Sequence, residues 1–363
     1  MEPSQHVFTS LRQAIHCNAA TNYRTIEMVD NKQKLSSYVK FLQSHAQYIL
    51  DVDKISQNDL PMEDCMYLVQ PKLDGVFGNV FVLNREFGNE VVVLSRDGNL
   101  LSNTQFCEDA FCFANPGVYV AEFEIKNGTF EDASRFYNPN VVNQLDLKPG
   151  QHCKCSIHDF ISLDSFIAGK SIIPYIERYK LLSAMWDNKE FSVQAMNKTL
   201  FLIPSDIFYS WNDALFFAEG LIEKSEKIAK NPLDVIEGAC IKKAKAIWQR
   251  GTRTTDYIKV VRYKFFDLYV SSFKEGKGKH ANTVGALVVR WRAFGIKENP
   301  PISLPVDGKI AYKSRRDWYV KHSRSGWLTG KIAKVRTKGF TNSGMLRQAK
   351  FIEFRWDKSE PDL

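Results

Sequence analysis

The chain has 363 residues, enough for two domains of ordinary size or for one large and one small domain. Its 44% hydrophobic and 25% charged residues are the proportions of a soluble globular protein. No run reaches the roughly 18 to 20 apolar residues that cross a bilayer. The opening Met1-Glu-Pro-Ser-Gln5 lacks the basic and apolar regions of a secretory signal, so a cytoplasmic protein without a membrane partner is expected.

Seven cysteines, an odd number, argue against a complete disulfide framework. Cys153 and Cys155 beside His152 lack the second ligand pair of a four-ligand zinc site, which leaves free thiols as the expectation. The net charge of +8 is unevenly placed. From Phe266 onward 20 Lys and Arg face 9 Asp and Glu, so this stretch carries +11 and the remainder −3. A phosphate backbone is the partner that such asymmetry most often serves.

Residues 1–65 read as helical: Leu35, Tyr38, Val39, Leu42, Ala46, Ile49 and Leu50 recur at helix spacing in one apolar stripe. After Asn58-Asp-Leu-Pro61 the texture changes, and short β-type runs alternate with turns as far as Phe166. The clearest strands are Gly78–Leu83, Glu90–Leu94 and Gly117–Ile125. Helical patterning returns over 175–230, around Ile176–Leu182 and Leu215–Ile222, and a second β-rich block runs from Ile236 past Lys264. Beyond Phe266 short strands such as Ala286–Trp291, separated by glycine-rich or basic turns, suit a small barrel. Gly326-Trp-Leu-Thr-Gly330-Lys331 is one residue short of a phosphate loop and lacks Ser or Thr after the lysine, so a turn is expected there.

Four stretches carry chemistry. In Val69-Gln70-Pro-Lys72-Leu-Asp74-Gly75, a lysine between an apolar strand and a turn becomes a covalent nucleophile only as a neutral amine, which burial or a nearby cation provides. In Tyr119-Val-Ala-Glu122-Phe-Glu124, two glutamates two apart on a strand share one face, either solvent or a polar cleft. In Ile236-Glu237-Gly238-Ala-Cys-Ile-Lys242, then Arg250-Gly-Thr-Arg253, then Lys259, a carboxylate suits Mg²⁺ and the cations suit a triphosphate. Near the end, Phe351-Ile-Glu-Phe-Arg355-Trp-Asp357-Lys358 interleaves charge with aromatics and reads as a packed strand.

In this order and spacing the four resemble the motif series of the covalent nucleotidyltransferases, the superfamily of DNA ligases, RNA ligases and messenger-RNA capping guanylyltransferases. The resemblance covers residues 66 to 363, and its closest form looks like the short phage-type ATP-dependent DNA ligases. It implies an α+β fold: an ATP-grasp-like adenylation domain of antiparallel sheets and flanking helices, then a C-terminal OB-fold β-barrel. The expected divisions are 1–65 (helical part of the adenylation domain), 66–265 (adenylation core) and 266–363 (OB fold).

Carried over by motif, Lys72 is the residue that bears AMP after attack on ATP, and Asp74 and Gly75 complete its motif. Gln70 falls where the family contacts adenine, His158 where an aromatic stacks on it, and Glu122 where the ribose is bound. Glu237 matches the Mg²⁺-associated carboxylate, Lys242 the basic residue after it, and Lys259 the lysine on the α-phosphate. Arg355, Asp357 and Lys358 match the terminal motif that orients pyrophosphate. Arg96, in Ser95-Arg-Asp-Gly98, matches the arginine that approaches the nick 5′-phosphate. Lys277 and Lys279 stand in a segment like the one opening the ligase OB barrel. Arg250, Arg253, Arg315 and Arg316, with Lys313, Lys321 and Arg324, are the other candidate nucleic-acid contacts.

The resemblance thus implies a monomer that seals 3′-hydroxyl/5′-phosphate nicks in duplex DNA through lysyl-AMP and adenylated DNA. An RNA ligase and, behind it, a capping guanylyltransferase stay open, as does an inactive nucleic-acid-binding relative. Three departures stand out: Phe77 where an arginine is usual, Val261 in place of a second lysine (Arg262 or Lys264 could substitute), and His158 where Phe or Tyr is commoner.

Overall fold

Strands with apolar residues on both faces need cover on both sides, and those without a second cover leave a face for chemistry. The computed structural model describes residues 32–41, 47–55, 65–86, 88–141, 146–228, 236–290, 302–303, 312–341 and 344–362. These divide into two compact units, residues 1–261 and 262–363, the break falling just before the composition change near residue 265.

Unit one holds two five-stranded sheets. Sheet one has the order β1 (Tyr48–Asp51), β10 (Arg253–Val261), β9 (Gly238–Lys243), β2 (Tyr67–Lys72), β8 (Asp206–Phe208). Sheet two runs β4 (Gly88–Ser95), β3 (Val76–Arg85), β5 (Gly117–Lys126), β6 (His152–Ile161), β7 (Leu200–Leu202). Pairing is antiparallel except for β1 with β10 and β6 with β7.

Sheet two is covered on both faces, which is why its strands read as nearly continuous apolar runs. Val80, Val82, Tyr119, Ala121 and Phe123 pack with α2 (Phe106–Ala110), α3 (Phe130–Tyr137) and α5 (Tyr175–Asp187). Phe81, Leu83, Val118 and Val120 face the other way, onto Leu35 and Val39 of α1 (Lys32–Phe41) and Phe166 of α4 (Leu163–Ala168). On sheet one, Trp211, Ala214, Ala218 and Ile222 of α6 (Trp211–Ile228) form a helical stripe against Tyr67, Val69, Ala239 and Ile241, and Tyr175 of α5 packs on Leu68 of the other face. The face opposite α6 carries Leu68, Gln70 and Lys72.

Two expectations change. The apolar stripe assigned to one N-terminal helix is helical only over α1 among the described residues; Leu42 and Ala46 lie outside them. Ile49 and Leu50 form β1, because parallel pairing with β10 supplies the backbone partners that a helix would otherwise give. The stretch read as strands and turns up to Phe166 also contains the short helices α2, α3 and α4. Thr129 and Asp132 close α3 with a reciprocal capping box, a signal present in the sequence.

In unit two a five-stranded sheet has the order β13 (Ile302–Ser303), β12 (Val284–Arg290), β11 (Lys264–Glu275), β14 (Ile332–Thr337), β15 (Lys350–Phe354). Its apolar face gathers Leu268, Val270, Leu287, Val289, Val335, Phe351 and Phe354. Among the described residues no hydrogen-bonded pairing closes this sheet into a barrel, although Cα atoms of β13 and β15 come within 8 Å. Where only strands were expected, Tyr312–Ser325 forms a helix, α7. Arg315, Trp318, Tyr319 and His322 lie along one side of it, and Tyr319 and His322 pack on Phe273 of β11.

Candidate active site

The face of sheet one opposite α6 and the polar end of β5 meet at the β2–β3 turn. Cross-strand register lines up Gln70 with Cys240 and Cys240 with Lys259, so these side chains share a face one row from Lys72. On β5 the period of two puts Glu122 and Glu124 on the face of Val118 and Val120, beyond the cover of α1 and α4. Two glycines permit the close approach. A Cβ on Gly75 would lie 2.5 Å from the Phe123 carbonyl oxygen, and one on Gly238 would lie 2.2 Å from that of Val260.

Lys72 donates from Nζ to Glu237 Oε2 in a close ion pair. Burial works to lower its pKa, yet the Glu237 and Glu122 carboxylates outweigh burial and the net shift is upward. The neutral amine expected from the sequence is therefore not the resting form; Lys72 rests as an ammonium because a carboxylate touches it. Glu122 accepts from the Gly75 N–H at 3.0 Å, and burial pushes its carboxyl up to about 7, partly opposed by Lys72. Glu124 is engaged elsewhere, by Ser156 Oγ at 3.1 Å and Lys154 at 2.9 Å.

A second cluster lies further along the same face. Lys242 is buried and donates to Gln70 Oε1 at 2.8 Å and Tyr175 Oη at 3.0 Å, with His158 Nδ1 at 3.4 Å. Its three N–H groups are taken by side chains here, and residue 242 sits opposite Leu68, two rows from Lys72. Burial lowers the Lys242 pKa to about 8. Burial and the Lys242 charge together lower His158 to about 3, so the imidazole is neutral. His158 is the extra residue of a β-bulge, since Val120 and Ala121 pair with Asp159 and Ile157.

Behind it Asp159 receives Arg178 in a buried two-pronged pair at 2.9 and 2.8 Å, and Arg178 also donates to Tyr257 Oη at 3.0 Å. Sequence reasoning assigned no chemical step to Asp159, Arg178 or Tyr175, whose side chains meet only in the folded chain. It also missed Asp51 of β1, buried and 3.5 Å from Lys259 Nζ. Val261, opposite Gly238, is buried and apolar. Phe77 lies opposite Glu122 and carries the guanidinium of Arg96 5.0 Å above its ring, so an arginine does reach this corner from β4. Asp74 sits on the β2–β3 turn, partly buried.

The other candidates are dispersed. Arg250 donates to the Phe166 carbonyl at 3.2 Å, and Arg253 is exposed over Tyr48. In unit two, Lys277, Lys279 and Arg316 are exposed, whereas Arg315 is only 6% exposed and faces inward on α7. Arg355 grips Asp357 through two hydrogen bonds, at 2.9 and 2.6 Å, and donates to Asp267 at 2.7 Å. Lys358 also contacts the buried Asp267, a carboxylate that no motif singles out.

No protein-family model matches the sequence, and no curated protein does. Solved structures do match. One named Pmar-Lig_PreS3 gives a TM-score of 0.63 at 18% identity, covering 90% of this chain and 72% of that one. Another, from a structure–function analysis of Lig E DNA ligases as minimal DNA-binding scaffolds, gives 0.57 at 18% identity, covering 85% and 98%. The chain has a DNA-ligase fold. Within that ligase fold, Lys72, Glu237 and Glu122 stand where the two sheets of unit one converge.

Proposed function

We propose that the chain is an ATP-dependent DNA ligase that stores AMP on Lys72 and seals nicks in duplex DNA. The observation that carries this reading is the Lys72 ammonium in contact with Glu237 and flanked by Glu122, on the face that also holds Gln70 and Lys259, with His158 approaching from sheet two. Groups whose titration is perturbed by burial and by specific charge partners, as Lys72 and Glu122 are, cluster at functional sites.

In the first step Lys72 gives a proton to solvent and parts from Glu237, which stays ionised. The Lys72 Nζ attacks the α-phosphorus of ATP, the N–P bond forms as the α–β phosphoanhydride bond breaks, pyrophosphate leaves, and the nitrogen's second proton passes to solvent. Lys259, held beside Asp51, neutralises charge on the phosphoryl oxygens. AMP then passes to the 5′-phosphate of a nick, and the 3′-hydroxyl displaces AMP to close the backbone.

Mg²⁺ at such a site is held mainly by phosphate and water with one carboxylate. Glu237 would be that carboxylate, and the ion would supply charge neutralisation at the phosphates. Unit two supports an OB fold: β11 pairs with both β12 and β14, and β13 approaches β15. Its residues Arg355 and Lys358, together with Asp357, would orient the pyrophosphate.

Incubation with labelled ATP and Mg²⁺ followed by a denaturing gel tests the first step. A covalent AMP adduct is expected on the parent chain, with a loss of at least about a thousandfold for Lys72→Ala. An adduct that survives this substitution sinks the reading. Nicked DNA, nicked RNA and hybrid duplexes compared as substrates then decide between DNA and RNA ligase.

A further inference from the structure

The cluster around Lys242 fixes the direction of a hydrogen bond. A lysine ammonium carries three donors and no acceptor. All three acceptors here are named: Gln70 Oε1, Tyr175 Oη and His158 Nδ1. The Tyr175 hydroxyl spends its own proton on the His158 carbonyl at 2.9 Å, which leaves its oxygen free to accept. The neutral His158 ring likewise accepts at Nδ1, and its remaining proton belongs on Nε2.

Gln70 has no freedom in this arrangement. Its amide must turn the oxygen toward Lys242, because turning it over would set donor against donor. Its Nε2 is then left facing away, buried in a residue 2% exposed and without a hydrogen-bond partner. Buried amide donors are rarely left so unless a ligand completes them. Gln70 shares a strand face with Lys72 and lies two residues from it, within reach of a nucleotide whose α-phosphate sits at Lys72.

We propose that Lys242 is a positioning residue that locks Gln70 as a hydrogen-bond donor to the nucleotide base, so that adenine is read through its acceptor ring nitrogen N1 and not through its exocyclic amino group. This rests on the nucleotide-binding reading above. A glutamine free to rotate could present either end, and a carboxylate could only accept from the amino group. The Lys242 lock removes that choice. The neutral His158 ring, held by the same lysine, offers a flat face beside the base without adding a charge that would alter its preference.

Three nucleotides separate the possibilities in the adduct assay on the intact chain: ATP, purine riboside triphosphate (no amino group) and 1-deaza-ATP (no N1). Purine riboside triphosphate should load within about threefold of ATP, whereas 1-deaza-ATP should lose about ten- to a hundredfold, since it leaves the Gln70 donor unsatisfied. In Lys242→Met the amide is free to turn, so the loss with 1-deaza-ATP should shrink and a loss with the purine analogue should appear. The parent series decides by itself if that variant does not fold.

The reverse pattern in the parent chain, dependence on the amino group with indifference to N1, overturns the proposal and leaves the ligase reading standing. A Lys242→Met variant that loads all three nucleotides equally less well overturns the positioning role. Failure of every nucleotide to load overturns the ligase reading, and this inference with it.

Discussion

Lys72 and Glu122 come from different sheets, yet each shifts the other's titration. For Glu122 the shift is upward, from 4.5 to about 7, with burial as the main cause. A carboxyl whose pKa rises on folding holds its proton more tightly in the folded chain. Its contribution to stability is thus complete below pH 4.5 and is lost as pH rises through 7. Glu122→Gln carries no such titration. Thermal melts across that window should be flatter than the parent's, and at pH 8 the variant should be more stable by about 1 kcal/mol while loading no AMP. Parent and variant curves of equal slope count against this assignment. The sequence showed Glu122 and Glu124 on one face but not which would be drawn into an ion pair with the neighbouring strand. That difference arises because Lys154 and Ser156 come across from β6 to Glu124, a pairing no local pattern displays.

Elements were legible where the chain speaks for itself. The runs around Val80, Val92 and Tyr119 are doubly covered strands and read as such; α5 and α6 announced themselves by helical spacing. What escaped were elements whose identity depends on a distant partner: β1, made a strand by β10, and the His158 bulge, which exists only against β5. The bulge is braced by Asp159 and Arg178, which tie β6 to α5. Breaking that pair strands a carboxylate in a dry site, where Arg178 had outweighed the cost of burial. Arg178→Met should cost about 3–5 kcal/mol, read as a lower urea midpoint at unchanged slope. A cost below about 1 kcal/mol would show that water reaches Asp159. In α7 the helical spacing of Arg315, Trp318, Tyr319 and His322 was present in the sequence. The density of surrounding basic residues masks that periodicity, because charge dominates the composition there.

For the whole molecule, charge is the property that the sequence disclosed most directly, and structure refines which cations are available. Lys277, Lys279 and Arg316 face solvent, while Arg315 is withdrawn into unit two. Replacing the three exposed residues by Ala should weaken binding to nicked duplexes regardless of their sequence. It should also reduce the slope of log affinity against log salt by about 0.9 for each phosphate no longer neutralised. Arg315→Ala should instead lower the melting temperature and leave that slope unchanged, because its stem is packed. Titrations at several ionic strengths separate the two, and a slope unmoved by the triple replacement would place the nucleic-acid surface elsewhere.

One edge strand of sheet one, β1, is contributed by residues that precede Lys72 by some distance in the chain. Trimming the chain to begin at residue 56 would uncover the backbone groups of β10, a ready template for another molecule's strand. It would also strip Lys259 of its Asp51 counter-ion. Such a shortened protein should scatter light and sediment as aggregates where the full chain stays dispersed, so β1 serves as a selvage that keeps the fabric from unravelling.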